Sequence, residues 1–260
     1  DDRVDAEYLA RVARLDPTLL APIEHRSEEA QQDLAVLRAR EALVEARTKL
    51  VNHVRGSVKA MGGRIPAMST GAFAAKAGQH VPKALWPALQ PLLETIQELT
   101  KQIGRQDRHI EKRAEKQYPQ SEALRTVPGV GSLTSMAYVL TLQDPGRFPQ
   151  SRTVGAYVGL TPRRAQSGHG DPQLRITKAG DGYLRKLLVG SAHYILGPFG
   201  PDSDLRRWGL KLAERGGKNA KKRAIVAVAR KLAVLLHRLW VTQKPYEPLR
   251  HSKGTVPGTA

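Results

Sequence analysis

The residues best suited to chemistry lie in a glycine- and proline-rich stretch from Gly159 to Leu188, GLTPRRAQSGHGDPQLRITKAGDGYLRKLL, whose one serine is Ser167. Four cations flank this serine, two on either side: Arg163, Arg164, Arg175 and Lys178. A hydroxyl among cations suits chemistry on a phosphodiester, because cations bind the polyanion and offset the charge of its transition state. A simple surface turn is the alternative, since Ser-Gly and Asp-Pro are common turn formers.

The charge of the chain indicates the class of partner. Lys and Arg total 42 against 24 Asp and Glu, a formal net charge of +18. Residues 151–260 hold 21 of these cations and 6 of the acids, so +15 of the +18 lies there, whereas residues 1–150 hold 21 and 18. Such a field predicts a polyanionic partner, most simply nucleic acid. An acidic membrane surface fits less well, because aromatic residues are only 5% and no apolar run approaches the length of a membrane span.

Composition sets the broad class. The chain has 260 residues, 40% of them hydrophobic and 25% charged, which is typical of a globular protein with one large or two small domains. The absence of cysteine excludes disulfides and thiolate metal sites and suits a bacterial cytoplasm. The chain begins at Asp1 without a methionine, which favours a fragment of a longer protein.

The first fifteen residues are predicted to form a helix with Val4, Tyr8 and Leu9 on one side. Asp2 and Asp5 lie three positions apart, so their carboxylates share a helix face and can hold one divalent cation. The alternative is an acidic first turn, which the helix dipole favours.

Two long amphipathic helices should follow. The first runs from about Ser27 to Met61 and ends at Gly62 and Gly63. The second begins after Pro87 or Pro91 and repeats apolar residues at steps of four and three, the spacing of a coiled-coil seam. Joined by a loop over 62–82, the two helices can form an antiparallel hairpin or pair across subunits. We expect a spacer and an oligomerisation arm.

Residues 121–142 have the pattern of a helix-hairpin-helix, with Gly129, Val130 and Gly131 in the turn and a second helix from Ser132. The glycines let the backbone approach a phosphate, and the following helix offers free N–H groups. Such hairpins bind the DNA backbone without reading sequence. A tight turn between packed helices is the alternative.

Three helices are expected after the serine loop. The first begins near Asp181 with Arg185 and Lys186 pointing away from its apolar side, where they are candidates for binding nucleic acid. The second is capped by Asp202 or Ser203, and the third follows Gly216 and Gly217. The third helix begins with four cations: Lys218, Lys221, Lys222 and Arg223. Cations at the positive end of a helix dipole indicate an external anion, with a solvated basic face as the alternative. Residues from Lys244 onward should form a loose tail.

In this order, the motifs resemble the DEDD-type insertion-sequence transposases, whose members include the bridge-RNA-guided recombinases. The matching segments of the carboxy-terminal domain are TVPGVG at 126–131, AYVGLTP at 156–162, SG at 167–168, ITK at 176–178, GD at 180–181, LR at 184–185 and AVARKL at 227–232. Asp2-Arg3-Val4-Asp5-Ala6 resembles the Asp-x-x-Asp-Ala motif that ends the family's RuvC-like domain.

The resemblance implies a mainly α chain. Its parts are the last helix of a RuvC-like domain (1–16), a coiled-coil arm (27–118), a helical transposase domain with a helix-hairpin-helix (121–245) and a flexible tail (246–260). It implies that Ser167 is the nucleophile of DNA strand exchange. It also implies that Asp2 and Asp5 are two of four Mg²⁺-binding carboxylates, the other two of which lie on strands absent from this chain.

The resemblance further implies a homo-oligomer, a dimer or a tetramer, that holds two DNAs, and one branch of the family implies a guide RNA. His169 is a candidate proton acceptor. The competing functions are a non-catalytic helix-hairpin-helix DNA-binding module and an inactive transposase remnant. A structural scaffold would leave the charge of residues 151–260 unexplained.

Overall fold

The computed structural model describes residues 1–20, 25–166 and 174–250. Over these residues the chain is helical, apart from short turns and an isolated antiparallel bridge between Pro162 and Ile176. The helices are α1 (Asp2–Leu15), α2 (Glu28–Ala60), α3 (Phe73–Ala77), α4 (Trp86–Gln117), α5 (Glu122–Arg125), α6 (Ser132–Leu142), α7 (Val154–Tyr157), α8 (Gly182–Leu196), α9 (Asp204–Glu214) and α10 (Ala220–Thr242). The prediction of a mainly α protein is confirmed. None of the helices in the described part combines the length and the apolar character needed to span a membrane.

Helices α2 and α4 form an antiparallel hairpin within one chain, which we call the arm (residues 28–117). Arg40 Nε lies 2.6 Å from Asp107 Oδ1, and Arg47 Nη1 donates to Thr100 Oγ1 over 3.3 Å. In both pairs the two residue numbers sum to 147, as the register of an antiparallel pair requires. The structure therefore selects the intrachain hairpin from the two arrangements that the heptad pattern allowed.

Proline placement in α4 differs from the expectation. Pro87 lies in the first turn, whereas Pro91 lies inside the helix, one turn further than a helix usually tolerates. The side chains of Leu89 and Leu93 on either side are buried in the hairpin core. We attribute the continued helix to this packing, which outweighs the loss of one backbone hydrogen bond.

The free end of the arm is folded onto its own core. The loop predicted over 62–82 contains α3, and Phe73 and Ala77 of that helix are fully buried against the valines of α2. Arg55 lies over the Phe73 ring at 5.2 Å from its centroid. A core of this kind, separate from the main one, holds the end of the arm in one shape.

The other end of the arm is joined to the remainder of the chain, the body (residues 119–250), through polar contacts and the main core. Asp33 is buried and accepts a 2.5 Å hydrogen bond from the Tyr118 hydroxyl. Arg113 Nε lies 2.8 Å from the other carboxylate oxygen of Asp33 in an ion pair. Leu37 of α2 and Ile110 of α4 belong to the same apolar cluster as the body helices.

Helices α6, α8 and α10 form the centre of the body. The Tyr138 side chain of α6 is fully buried, and its hydroxyl donates to Ala233 O of α10 over 2.7 Å. Burial of the phenol raises the pKa of Tyr138 well above its usual value. His237 of α10 is also buried, where Ser151 Oγ lies 2.9 Å from its Nδ1. The later half of α10 was expected to be a core helix, and Leu232, Leu236 and Trp240 are buried there.

The helix expected over the first fifteen residues is confirmed as α1, whereas the loose tail expected from Lys244 is wrong for its first residues. None of the α1 side chains is buried, and Tyr8 is 67% exposed, because no described part of the chain covers its apolar side. The tail predicted from Lys244 is tied down through Pro248: Tyr246 N–H donates to Thr126 Oγ1 over 2.9 Å, and Pro248 O accepts from Asp204 N–H over 2.7 Å.

We expect the stability of the junction between arm and body to fall at high pH. Burial and the hydrogen bond to Asp33 raise the pKa of Tyr118, and burial with the Glu41 charge raises the pKa of Tyr183 from 10.0 to about 12. A phenol whose pKa is higher in the folded state adds stability fully below pH 10.0, and this contribution is lost as the pH rises through the folded pKa. Denaturant unfolding at a series of pH values should show this loss, and Tyr118→Phe with Tyr183→Phe should reduce it. An unchanged pH dependence in the double variant would contradict the assignment.

Candidate functional site

The predicted nucleophile Ser167 and the neighbouring His169 lie outside the described residues, so the site is known from the segments that carry their loop. These segments, the loop stem (residues 159–163 and 175–178), run antiparallel. Arg163 N–H donates to Arg175 O over 2.9 Å, and Thr177 N–H donates to Thr161 O over 2.9 Å. The loop thus leaves the body from a two-stranded base and returns to the same point.

Two glycines let the ends of the loop stem meet the backbone closely. Gly159 has φ +69°, and a Cβ built on it would lie 2.3 Å from Ala179 O. Gly180 also has φ +69°, and its Cβ would lie 2.1 Å from Tyr157 O. No other residue type fits this crossing, since it requires both left-handed backbone and the absence of a side chain.

The cations predicted to surround the serine lie at the loop stem and are exposed. They are Arg163, Arg164, Arg175 and Lys178. Lys178 has φ +58°, which is uncommon for a residue with a side chain, and its N–H donates to Gly159 O over 3.1 Å. Strained backbone of this kind clusters at functional sites, where the surrounding contacts maintain it.

Arg185 and Lys186 were expected to point away from the apolar side of α8, and the structure gives them partners within the chain. Arg185 Nη1 donates to Ala179 O over 2.7 Å and to Val158 O over 3.1 Å, so it holds the loop stem against α8. The ammonium of Lys186 is paired with Glu41 and Glu45 of α2, and these hydrogen bonds raise its pKa. Helix periodicity could not show these acceptors, because they are distant in sequence; phosphate binding by the two side chains stays a prediction.

Asp181 was not predicted as a site residue, yet it fixes the start of α8. Its Oδ1 accepts from Leu184 N–H over 2.9 Å as the helix cap, and its Oδ2 lies 3.0 Å from Arg38 Nη2 of the arm. One carboxylate thus joins the loop stem, α8 and the arm. The Asp-Gly dipeptide before an apolar helix was the sequence signal for the cap, whereas nothing local indicated Arg38.

The turn of the predicted helix-hairpin-helix has one exposed glycine and one packed glycine. Gly129 has φ +86° and faces Tyr194 and Ser191 O of α8, where a Cβ would lie 2.8 Å from Tyr194 Cδ1. Val130 is 4% exposed, so only its backbone could face a ligand. Gly131 is exposed, and the start of α6 that follows has no side-chain cap.

The first turn of α10 remains as basic as the sequence indicated. Lys218, Lys221, Lys222 and Arg223 are exposed, and none of them is in an ion pair within the described residues. Helix α10 has neither an acidic residue in its first turn nor a side-chain cap. Helices α2, α8 and α9, by contrast, are capped by Ser27, Asp181 and Ser203.

These predicted phosphate contacts fall into two groups separated along α8. The loop stem lies at its first residue, whereas Gly129 packs near its last turn. Val228 of α10 and Leu196 at the end of α8 both pack on Gly209, so α10 passes that same end at Val228, five residues after Arg223. A helix of 15 residues is about 22 Å long, so the two groups are not one compact cluster.

The predicted metal ligands do not form a complete site. Asp2 and Asp5 are exposed on α1, and within residues 1–20, 25–166 and 174–250 no group of three or more His, Asp or Glu side chains could hold a metal ion. Magnesium prefers an octahedral set of oxygen ligands. The residues present therefore do not fit a Mg²⁺ centre by themselves.

The comparisons with known proteins agree on one family. The model of the transposase IS116/IS110/IS902 family matches residues 121–202, which include the hairpin turn and the loop stem. The transposase for insertion sequence element IS1111A of Coxiella burnetii is 30% identical over 257 residues, covering 95% of this chain and 68% of that protein. A probable family 20 transposase of Pseudomonas aeruginosa is 29% identical over 255 residues, covering 95% and 74%.

A shorter match is to a protein that is not named as a transposase. The pilin gene-inverting protein of Moraxella lacunata is 30% identical over 129 residues, covering 49% of this chain and 39% of that protein. The family model and the two longer relatives confirm the insertion-sequence part of the resemblance. Its DEDD and RNA-guided parts stay predictions. The chain belongs to the IS116/IS110/IS902 family of insertion-sequence transposases.

Proposed function

We propose that this chain carries out DNA strand exchange for an insertion sequence, with the Ser167 hydroxyl as the nucleophile. The observation that carries the proposal is the loop stem, a backbone ribbon locked by Gly159 and Gly180 with four exposed cations at the base of the serine loop. A nucleophile needs to be placed accurately next to groups that bind the scissile phosphate. A rigid base under a cationic loop supports both requirements.

In the proposed reaction the Ser167 oxygen forms a bond to a DNA phosphorus, and the bond from that phosphorus to the 3′ or 5′ oxygen of the strand breaks. The serine proton leaves and the freed strand oxygen gains one, so protons balance. The hydroxyl of another strand then attacks the phosphoserine, which joins the new strand and restores the serine. The number of phosphodiester bonds is unchanged, and no external energy source is needed.

The exposed cations have separate roles in the proposal. Arg163, Arg164, Arg175 and Lys178 hold the scissile phosphate and offset its transition-state charge. Lys218, Lys221, Lys222 and Arg223, with the backbone of residues 129–131, bind DNA phosphates about 22 Å away at the other end of α8. At 3.4 Å per base pair this span is about six base pairs, so one duplex could contact both groups.

The Mg²⁺ part of the proposal depends on carboxylates other than Asp2 and Asp5. Residues 1–260 span 68% and 74% of the two relatives compared above, so those proteins contain further residues. We propose that Asp2 and Asp5 join such residues in an acidic centre.

Association of copies through the arm is also part of the proposal. In α2, no residue between Leu37 and Val51 is buried, and Val44 is only half-buried within the hairpin. A second arm packed on this middle section would bury the remaining apolar surface, as a homo-oligomer requires. A guide RNA is proposed on the resemblance alone, since cationic surface does not distinguish RNA from DNA.

Ser167→Ala in the complete protein, as its gene encodes it, tests the proposal. We expect the variant to lose covalent protein–DNA adduct and strand exchange by about 10³-fold or more, with DNA binding in gel shifts retained. Gln166→Ala, one residue away in the same loop, is the control and should keep most activity. Full activity of Ser167→Ala would favour another nucleophile, and DNA binding without any adduct in the unaltered protein would favour the non-catalytic binding module.

A further inference from the structure

The arm has a division of charge that its overall composition conceals. Residues 46–93, which we call the arm tip, contain seven Lys or Arg and no Asp or Glu. The remaining parts of the arm and its flanks, residues 27–45 and 94–118, contain eight Lys or Arg and ten Asp or Glu. The end of the arm far from the body is therefore purely cationic, while the part nearer the body is slightly acidic.

Five of the seven arm-tip cations are exposed, and none of these five is in an ion pair within the described residues. They are Lys49, Lys59, Arg64, Lys76 and Lys83. The other two are half-buried, Arg55 over the Phe73 ring and Arg47 against Thr100. Unpaired cations repel one another, so a group of them without nearby acids destabilises the folded state. Binding of an external anion offsets this repulsion.

The outward face of α2 in the arm tip carries a cation and, about two turns further, a residue without a side chain. Lys49, His53 and Gly56 lie on the face opposite the buried Val51 and Val54. Gly56 is exposed in the interior of a 33-residue helix, and nothing lies within 4 Å of the position that its Cβ would occupy. Packing within the chain thus does not require a glycine there, although glycine weakens a helix relative to alanine. A glycine at this position leaves room for the backbone of a ligand to approach the helix closely.

The arm tip is well separated from the serine-loop surface. Leu37 is the last residue of α2 buried before the arm tip, and Lys59 lies 22 positions further along the helix, a distance of about 33 Å. The arm-tip core, with Val58, Phe73 and Ile96 fully buried, holds the exposed cations in fixed positions. A ligand bound there would not be part of the catalytic loop.

We propose that the arm tip binds the phosphate backbone of double-stranded DNA without reading its sequence, as a contact separate from the proposed strand-exchange site. The chemistry of the surface favours a duplex over single-stranded nucleic acid and over an acidic protein. Single-stranded nucleic acid is bound on exposed aromatic platforms, whereas the outward face of α2 carries none in the arm tip. An acidic protein partner would need an apolar centre, and Met61 and Trp86 are the large apolar residues exposed in the arm tip.

The salt dependence of DNA affinity tests this proposal. Lys49→Gln, Lys59→Gln and Arg64→Gln together remove three arm-tip charges, while Arg105→Gln, Lys112→Gln and Lys116→Gln remove three exposed charges of α4 outside the arm tip. On a duplex of about 60 base pairs, the arm-tip variant should lower the slope of log K against log salt by about 2 to 3, since each phosphate contact contributes about 0.9. Affinity near 0.1 M salt should fall by more than about tenfold. Equal changes in the two variants would overturn the proposal.

Cross-linking gives a direct second readout, because the chain has no cysteine of its own. Asn52→Cys places a single thiol on the outward face of the arm tip, and Glu98→Cys places one on the exposed side of α4 outside it. After labelling with a photo-crosslinker, Asn52→Cys should form at least about five times more adduct with duplex DNA than Glu98→Cys does. Position 98 lies outside the proposed phosphate contact, so its label should stay further from the DNA. The three arm-tip substitutions should abolish this adduct.

Several outcomes would overturn the arm-tip proposal: adduct only with single-stranded RNA, adduct only with a second copy of the chain, or no preference for position 52. Ser167→Ala should leave the adduct unchanged, so failure of the arm-tip proposal and failure of the strand-exchange proposal give different results. Gly56→Ala should keep the folded structure and weaken the adduct, which a purely structural glycine would not do.

Discussion

Gly180→Ala should lower the free energy of unfolding by about 2–5 kcal/mol. A residue with a side chain at φ +69° costs about 1–2 kcal/mol. The added Cβ would lie 2.1 Å from Tyr157 O, which forces the backbone apart at a further cost of about 1–3 kcal/mol. Gly159→Ala should have a similar effect, since its Cβ would lie 2.3 Å from Ala179 O.

The same substitution should disturb the loop more than the body, because Gly180 and Gly159 close the loop stem. Strand exchange should therefore be lost even at temperatures at which the variant remains folded. Gly190→Ala, ten residues further in α8, is the matched control: nothing lies within 4 Å of its Cβ position, and alanine should stabilise the helix by about 0.5–1 kcal/mol. Denaturant unfolding of Gly180→Ala and Gly190→Ala measures the two changes in stability. Equal stability of the two variants would contradict the crossing described for Gly180.

Asp33→Ala should be the most damaging substitution among the ion pairs of the arm, with a loss of about 2–4 kcal/mol. The Asp33 side chain is 3% exposed, and its two oxygens serve Tyr118 and Arg113. Removing the carboxylate leaves the half-buried phenol of Tyr118 without its acceptor and the Arg113 guanidinium without its counter-ion. Since these residues join the arm to the body, hydrogen exchange should also increase at the start of α2.

Asp107→Ala is the control for this prediction. Asp107 pairs with Arg40 between the same two helices, at 2.6 Å, but its side chain is 49% exposed. Exposed ion pairs contribute little, so the loss should be under about 1 kcal/mol. Chemical denaturation of both variants decides the matter, and comparable losses would mean that burial of Asp33 is not what makes its contacts strong.

The sequence was sufficient for the long helices because their signals are local, whereas the short helix α3 lies in a stretch expected to be a loop. Ser27, Asp181 and Ser203 cap the helices where the expected pattern of Ser and Asp before apolar runs placed them. Gly62 lies just after the end of α2 and has φ +78°, as expected of a glycine that follows a long helix. Apolar residues at steps of three and four needed only the helical period to predict which face would be buried.

The candidate site could be predicted from the sequence only in part. The cations around the serine loop and at the start of α10 could be identified from the sequence, because charge is a property of single residues. The roles of Arg185 and Lys186 could not, since their acceptors at Val158 and Glu41 are contributed by other elements. Helical periodicity predicts that a side chain points away from the apolar face of its helix. It does not predict which residue of another segment lies next to that side chain.

The sequence by itself determined the helical class, the length of the arm, the excess of cations in residues 151–260 and the motifs of the transposase family. Tertiary structure alone decided that the arm folds back on itself, that Gly159 and Gly180 lock the loop stem, and that the two groups of phosphate-binding candidates lie at opposite ends of α8. The physical reason is the distance along the sequence over which each interaction acts. Capping, periodicity and charge act within a few residues, whereas a backbone crossing or a buried ion pair exists only after segments distant in sequence have packed together.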